Sequence, residues 1–230
     1  MASIGRPSSA VAAKLEAWLW AVRGWLVEPL VLAFRRSGNR ALISEDLRRW
    51  REVRYYEERR DIPTDTDEDK LRYFLLATRE FRNVFYYRLE RGGVESYLAS
   101  KLARRIWRPV DSLNVSCDDV GPGLVVRHGY STILTAERIG ANCFVHHEVT
   151  IGWDDEGARA PVLGDNVYVG TGAKILGAIT IGSDVRIGAN AVVLDDVPDG
   201  CTVAGVPARI VRAPQPRRLA AQGDGDAGIG

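Results

Sequence analysis

Three histidines (His128, His146, His147) and three cysteines (Cys117, Cys143, Cys201) are the side chains in this 230-residue sequence best suited to moving protons or attacking carbonyls near neutral pH. Histidine is the natural general base in that range. His128 stands two positions after Val126, and His147 stands two after Val145, so both hold the same place in their local pattern, 19 positions apart. His146 points differently and reads as structural. The cysteines are odd in number and lack C-x-x-C spacing. This argues against a disulfide framework and a zinc site and favours a reducing cytoplasm. Cys143 falls at an inward position and no base accompanies the others, so no thiol nucleophile is expected.

The histidines sit in a region with a period of six. Aliphatic residues recur at Ile133, Ile139, Val145 and Ile151, and the series resumes in phase at Leu163, Val169, Ile175, Ile181, Ile187 and Val193. Glycine often follows the anchor, as at Gly140, Gly164, Gly170, Gly182 and Gly188. Neither a helix nor an ordinary strand repeats every six residues, whereas a short strand followed by a sharp corner does. Three such units close one triangular coil, and the coils stack as a parallel β-helix. Val120-Gly121 and Val126 belong to the same series, with one extra residue before Ile133. Trp153 to Val162 reads as a loop thrown out from the prism. If the extra residue bulges outward, His128 and His147 lie near each other on adjacent coils.

The first half reads as helical. Leu15, Trp18, Leu19, Val22, Trp25 and Leu26 form one apolar face, ended by Pro29. That Trp-rich face suits packing within an oligomer or, alternatively, contact with a membrane surface. A second helix is expected from a Ser44 cap through about Arg60. A third should carry Leu71, Phe74, Leu75, Phe81, Phe85 and Leu89 before Gly92-Gly93, and a fourth should run from Val94 to Trp107. No catalytic constellation is visible in these helices. The expected division is residues 1–110 helical, 111–212 β-helix, and 213–230 a disordered tail. Lys plus Arg total 31 and Asp plus Glu 30, so the net charge of +1 argues against a nucleic-acid partner. Lys14, Glu16 and Arg23 interrupt any signal-peptide core, so a cytoplasmic protein, peripheral to a membrane at most, is expected.

The segments GPGLVVRHG (121–129), VTIG (149–152), VYVGTGAKILGAITIG (167–182), RIGANAVVLDDVP (186–198) and AGVPARIV (204–211) resemble the hexapeptide-repeat acyltransferases, most closely their serine acetyltransferase branch. The resemblance implies a left-handed β-helix, a homotrimer (with a dimer of trimers through the helical region as a further step), and acetyl transfer from acetyl-CoA to a hydroxyl without a metal. His128 falls on the family's catalytic histidine, and His147 is the second candidate. Asn114 stands where the family has a carboxylate orienting that histidine; Asp111 and Glu148 are possible replacements for it. The pantetheine track matches Gly152, Gly170, Thr171, Gly172, Ala173, Arg186 and Ala189. Gly152 or Trp153 is a candidate oxyanion donor, and Lys174, Arg186 and Arg209 are candidates for the coenzyme phosphates. The γ-class carbonic anhydrases bind zinc on this fold, but histidine spacings of 19 and 1 fit their ligand pattern poorly.

Departures from the family shape the expected acceptor. Arg127 stands where the family has an acid before the histidine. Of the family's Arg-His pair in the protruding loop, Arg159 remains and Ala160 replaces its partner. Arg127 would repel an ammonium group. The acceptor expected from this is a sugar unit of a polysaccharide or glycolipid, with Arg127, Glu148 and Arg159 lining its site. The alternatives are serine O-acetylation in cysteine biosynthesis and a non-catalytic β-helix scaffold.

Overall fold

The computed structural model describes residues 24–53, 66–153 and 159–214. Five complete helices stand among them: α1 (Glu28–Arg36), α2 (Arg40–Glu52), α3 (Asp67–Ala77), α4 (Arg79–Glu90) and α5 (Val94–Ile106). Most of the N-terminal Trp face, residues 54–60 of the expected second helix, and the tail from residue 215 lie outside the described residues.

The expected second helix begins earlier than its sequence cap. Asn39 precedes it, and Ser44 lies inside, where its hydroxyl bonds Asp67 at the start of α3. The expected third helix is two helices. The apolar period runs on across Thr78, but Thr78 is extended, and Arg82 reaches back to cap the end of α3. Its guanidinium donates to the carbonyls of Leu75 at 2.6 Å and Leu76 at 3.1 Å. These bonds satisfy acceptors that a continued helix would have used itself.

From Leu113 the chain winds into a left-handed parallel β-helix of three sheets. Sheet A is β1 (Leu113–Val115), β4 (Thr132–Leu134), β7 (Thr150–Gly152), β10 (Lys174–Leu176) and β13 (Val192–Val193). Sheet B is β2 (Asp119–Val120), β5 (Arg138–Ile139), β8 (Val162–Leu163) and β11 (Thr180–Ile181). Sheet C is β3 (Val125–Val126), β6 (Phe144–Val145), β9 (Tyr168–Val169), β12 (Arg186–Ile187), β14 (Thr202–Ala204) and β15 (Arg209–Arg212). Tyr168 pairs with Arg186, a coil of 18 residues. β15 turns back antiparallel on β14. The anchors Ile139, Val145, Ile151, Leu163, Val169 and Ile175 are fully buried, and an anchor-following glycine such as Gly170 lets the next coil approach where a Cβ would lie 2.7 Å from the Ala189 amide nitrogen.

One anchor shifts. Ile133 is 47% exposed, while Leu134 is buried and pairs with Ile151. The corner between β3 and β4 is longer than the repeat allows, and it holds His128 (φ 67°), Gly129 (φ 49°) and Ser131 (φ 49°) in the left-handed region.

The helices close the open end of the prism with polar side chains. Asn83 donates to the carbonyls of Val110 and Leu113, Tyr87 Oη to that of Cys117, and Trp50 Nε1 to that of Leu124. Arg88 donates to Gly121 and is held by Asp46, Nε to Oδ2 at 2.9 Å, in a pair 2% and 1% exposed. Asp46 in turn accepts the Gly123 amide at 2.7 Å. Helices and first coil therefore share one interior.

Candidate active site

The widened corner joins sheet C to sheet A, and every coil contributes to the same edge. Val126 pairs with Val145, Val145 with Val169, and Val169 with Ile187. The residues two positions after each therefore stack along that edge: His128, His147, Thr171 and Ala189. The imidazoles of His128 and His147 lie 5.7 Å apart between centroids, at 68°. His146 points away and shares a 2.8 Å hydrogen bond with Tyr168 Oη.

His128 is partly buried, and that burial holds it below the ordinary imidazole range. Arg127 and His147 push the same way, and Glu80 opposes them. The neutral, proton-accepting form is favoured at pH 7. Glu80 comes from the first turn of α4. It packs so close to Gly129 that a Cβ built there would lie 3.2 Å from Glu80 Cγ. Sequence reasoning missed this residue because it lies 48 positions before His128, in a helix without a motif.

Asn114 lies on the outer face of β1 and accepts a bond from the Ser116 hydroxyl. Asp111 stands 3.9 Å from Arg79, and Glu148 is an exposed corner residue with φ 60°. Burial pushes the thiols of Cys117 and Cys143 up to about 11, which leaves them protonated and poor nucleophiles. Among the described residues no group of three or more His, Cys, Asp or Glu could hold a metal.

Below the histidines the edge is lined by small groups. Gly172 (φ 74°) donates its amide to the His147 carbonyl at 3.1 Å, and a Cβ there would collide with the Asn190 side chain. Ala173 faces the interior, so only its backbone reaches the edge. Lys174 Nζ bonds the Glu148 carbonyl at 2.5 Å beside it. Arg186 lies on the outer face of sheet C, its guanidinium 4.2 Å from the Tyr168 ring centroid. Arg209 is exposed at the far end, 3.6 Å from Asp195.

The chain does not bring Gly152, Trp153 or Arg159 to this edge. They lie at the corner between sheets A and B. There Arg159 makes two 2.8 Å bonds to the Glu137 carboxylate. Sheet A separates that corner from His128.

The model of the bacterial transferase hexapeptide (six repeats) matches residues 160–195. A serine acetyltransferase of Helicobacter pylori is 46% identical over 95 residues, covering 40% of this chain and 56% of that protein. For that of Synechococcus elongatus the share is 39% of the protein, so the chain spans about half the length of such relatives or less. The solved soybean serine acetyltransferase apoenzyme is 31% identical, with a TM-score of 0.56, covering 76% of this chain and 69% of that one. The chain belongs to the serine acetyltransferase family of hexapeptide-repeat acyltransferases. Within that family, the soybean enzyme complexed with serine is again 31% identical, with a TM-score of 0.58, covering 81% of this chain and 75% of that one.

These likenesses correct the expectation of a sugar-type acceptor, because the relatives that match the chain are named for serine. The expectation weighed Arg127 and the loss of a partner at Ala160, and left out Glu80. In the fold, the imidazole that Arg127 flanks also feels the Glu80 carboxylate of α4, so the local field is not simply cationic.

Proposed function

We propose that this protein is an acetyl-CoA-dependent serine O-acetyltransferase that works by direct transfer. The observation that carries this reading is the edge itself: a neutral His128 faces His147, with the Glu80 carboxylate beside it and small residues running below. His128 takes the proton of the serine hydroxyl as the oxygen bonds to the acetyl carbon. The carbon–sulfur bond then breaks, and the imidazolium returns the proton to the departing thiolate. His147 lines the acceptor pocket or steadies the imidazolium. Glu80 offsets Arg127 and pairs with the serine ammonium.

The pantetheine arm of acetyl-CoA fits the track of Gly170, Thr171, Gly172 and Ala189, where the backbone is open to close approach. The working unit is a trimer. Because Arg159 cannot reach His128 within its own chain, a neighbouring copy supplies Arg159 for the serine carboxylate, and with it an oxyanion donor from Gly152 or Trp153. Thiol release from acetyl-CoA tests the reading. L-Serine should be the acceptor that drives it, and a rate with L-serine no higher than hydrolysis would overturn it.

A further inference from the structure

His146 belongs neither to the histidine pair of the edge nor to the interior. It stands on the outer face of sheet C, one step in from the edge, and the following coils put Gly170, Gly188 and Ala204 in register below it. Its amide bonds the Val169 carbonyl just as those of Gly170 and Gly188 bond Ile187 and Val203. The face beneath the imidazole is therefore almost bare backbone. One side of this trough is the edge, with Thr171 and Ala189. The other is a ridge of Phe144, Tyr168 and Arg186, in register on β6, β9 and β12. His146 closes the head of the trough, with Arg127 one coil earlier.

The ridge holds the imidazole in one orientation. The Phe144 and Tyr168 rings stack at 5.6 Å and 13°, and His146 lies against both, at 5.1 and 5.3 Å between centroids. Tyr168 Oη lies 2.8 Å from Nε2 of His146. The Arg186 guanidinium, 4.2 Å from the Tyr168 centroid, draws charge from that ring and makes its hydroxyl the better donor. Burial, helped by Arg127, His147 and His128, holds His146 below the ordinary imidazole range, so the ring is neutral at pH 7 and carries one proton. With Nε2 accepting from Tyr168, that proton sits on Nδ1. Nδ1 has no partner among the described residues and is not enclosed, so an N–H donor faces the head of the trough.

The pantetheine arm of acetyl-CoA offers the matching acceptor. Its amide carbonyls are carried on a thin chain that fits a trough without side chains, and one of them lies a few bonds from the thioester. The His146 ring is 6.5 Å from that of His147, which in turn faces His128. An arm whose thioester reaches His128 therefore passes Nδ1. We propose that His146 binds the arm beside the thioester, and that Tyr168 is a positioning residue that fixes the His146 tautomer for this contact. The proposal rests on the coenzyme assignment made above and not on the identity of the acceptor.

The test is titration calorimetry of the full chain with coenzyme A, which reads the contact without any acceptor. His146→Gln places an amide where Nε2 stood and keeps the bond to Tyr168. His146→Asn places one where Nδ1 stood and keeps the bond to the arm. His146→Gln should raise the Kd about three- to tenfold, the worth of one hydrogen bond, and His146→Asn should stay within about twofold of the parent. The KM for acetyl-CoA should follow the same order, with the KM for serine unmoved. Tyr168→Phe should also raise the Kd, and should add nothing when combined with His146→Asn. Unchanged binding in both His146 variants, or equal loss in both, overturns the proposal. So does the reverse order, which would mean that the ring only props Tyr168. A parent that binds no coenzyme A overturns the acetyltransferase reading itself, and the proposal with it.

Discussion

His128 and His147 face each other from equivalent places on successive coils, 5.7 Å apart between ring centroids, and burial and Arg127 hold His128 below the ordinary imidazole range, as its proposed role of base requires. His128→Ala should lower kcat by roughly 10²–10⁴-fold, the usual worth of a general base, with little change in the KM for acetyl-CoA. His147→Ala should act mainly on the KM for serine. Steady-state rates from thiol release check both, and the reverse pattern would exchange the two roles.

The pH profile follows from the same neighbours. The imidazole must be neutral to accept a proton, so kcat/KM should fall as pH drops through a value below 6.5. Arg127 lowers that value and Glu80 raises it. Arg127→Met should therefore move the acid limb to higher pH, and Glu80→Gln should move it to lower pH. Glu80→Gln should also raise the KM for serine. Profiles in which both variants leave the limb in place would mean that neither charge is felt at His128.

Arg159 and His128 occupy different corners of one prism, so a site built between copies allows complementation. His128→Ala and Arg159→Ala chains, unfolded and refolded together at equal amounts and assayed at low serine, should restore about a quarter of the parental sites by random mixing. A mixture no more active than the mean of the two separate preparations would place each site within a single chain.

Asp46 and Arg88 meet in the interior, and removing either leaves the other charged and buried. Asp46→Ala should cost about 3–5 kcal/mol and lower the melting temperature by roughly 10 °C. Calorimetry reads this directly, and a shift of a degree or two would mean that the first coil does not depend on the pair.

The six-residue period made the β-helix legible because each anchor fills the prism and each following glycine meets the next coil. The phase error at Ile133 arose where that logic lapses, in a corner lengthened around His128 whose left-handed backbone leaves no periodic trace. The break between α3 and α4 was hidden for a related reason: the apolar spacing continues across Thr78, and only the reach of Arg82 shows where the first helix stops. The pairing of His128 with His147 could be inferred from their equivalent places. Glu80 could not, because its nearness depends on how α4 lies against the first coil. The sugar-type acceptor was inferred without that carboxylate, and it is the serine-named relatives that correct it.

A stack of parallel strands ends in unpaired backbone, and an open end invites another chain to continue it. Here the first coil is covered, and the last parallel strand of sheet C is paired. Asn83, Tyr87, Arg88 and Trp50 occupy carbonyls of the first coil, and β15 runs against the direction of the stack on β14. Both devices are terminators in the sense used for repeat proteins. They set the number of coils and make end-to-end polymerisation into fibres unfavourable, so the molecule can repeat one geometry many times without becoming a template for its own aggregation.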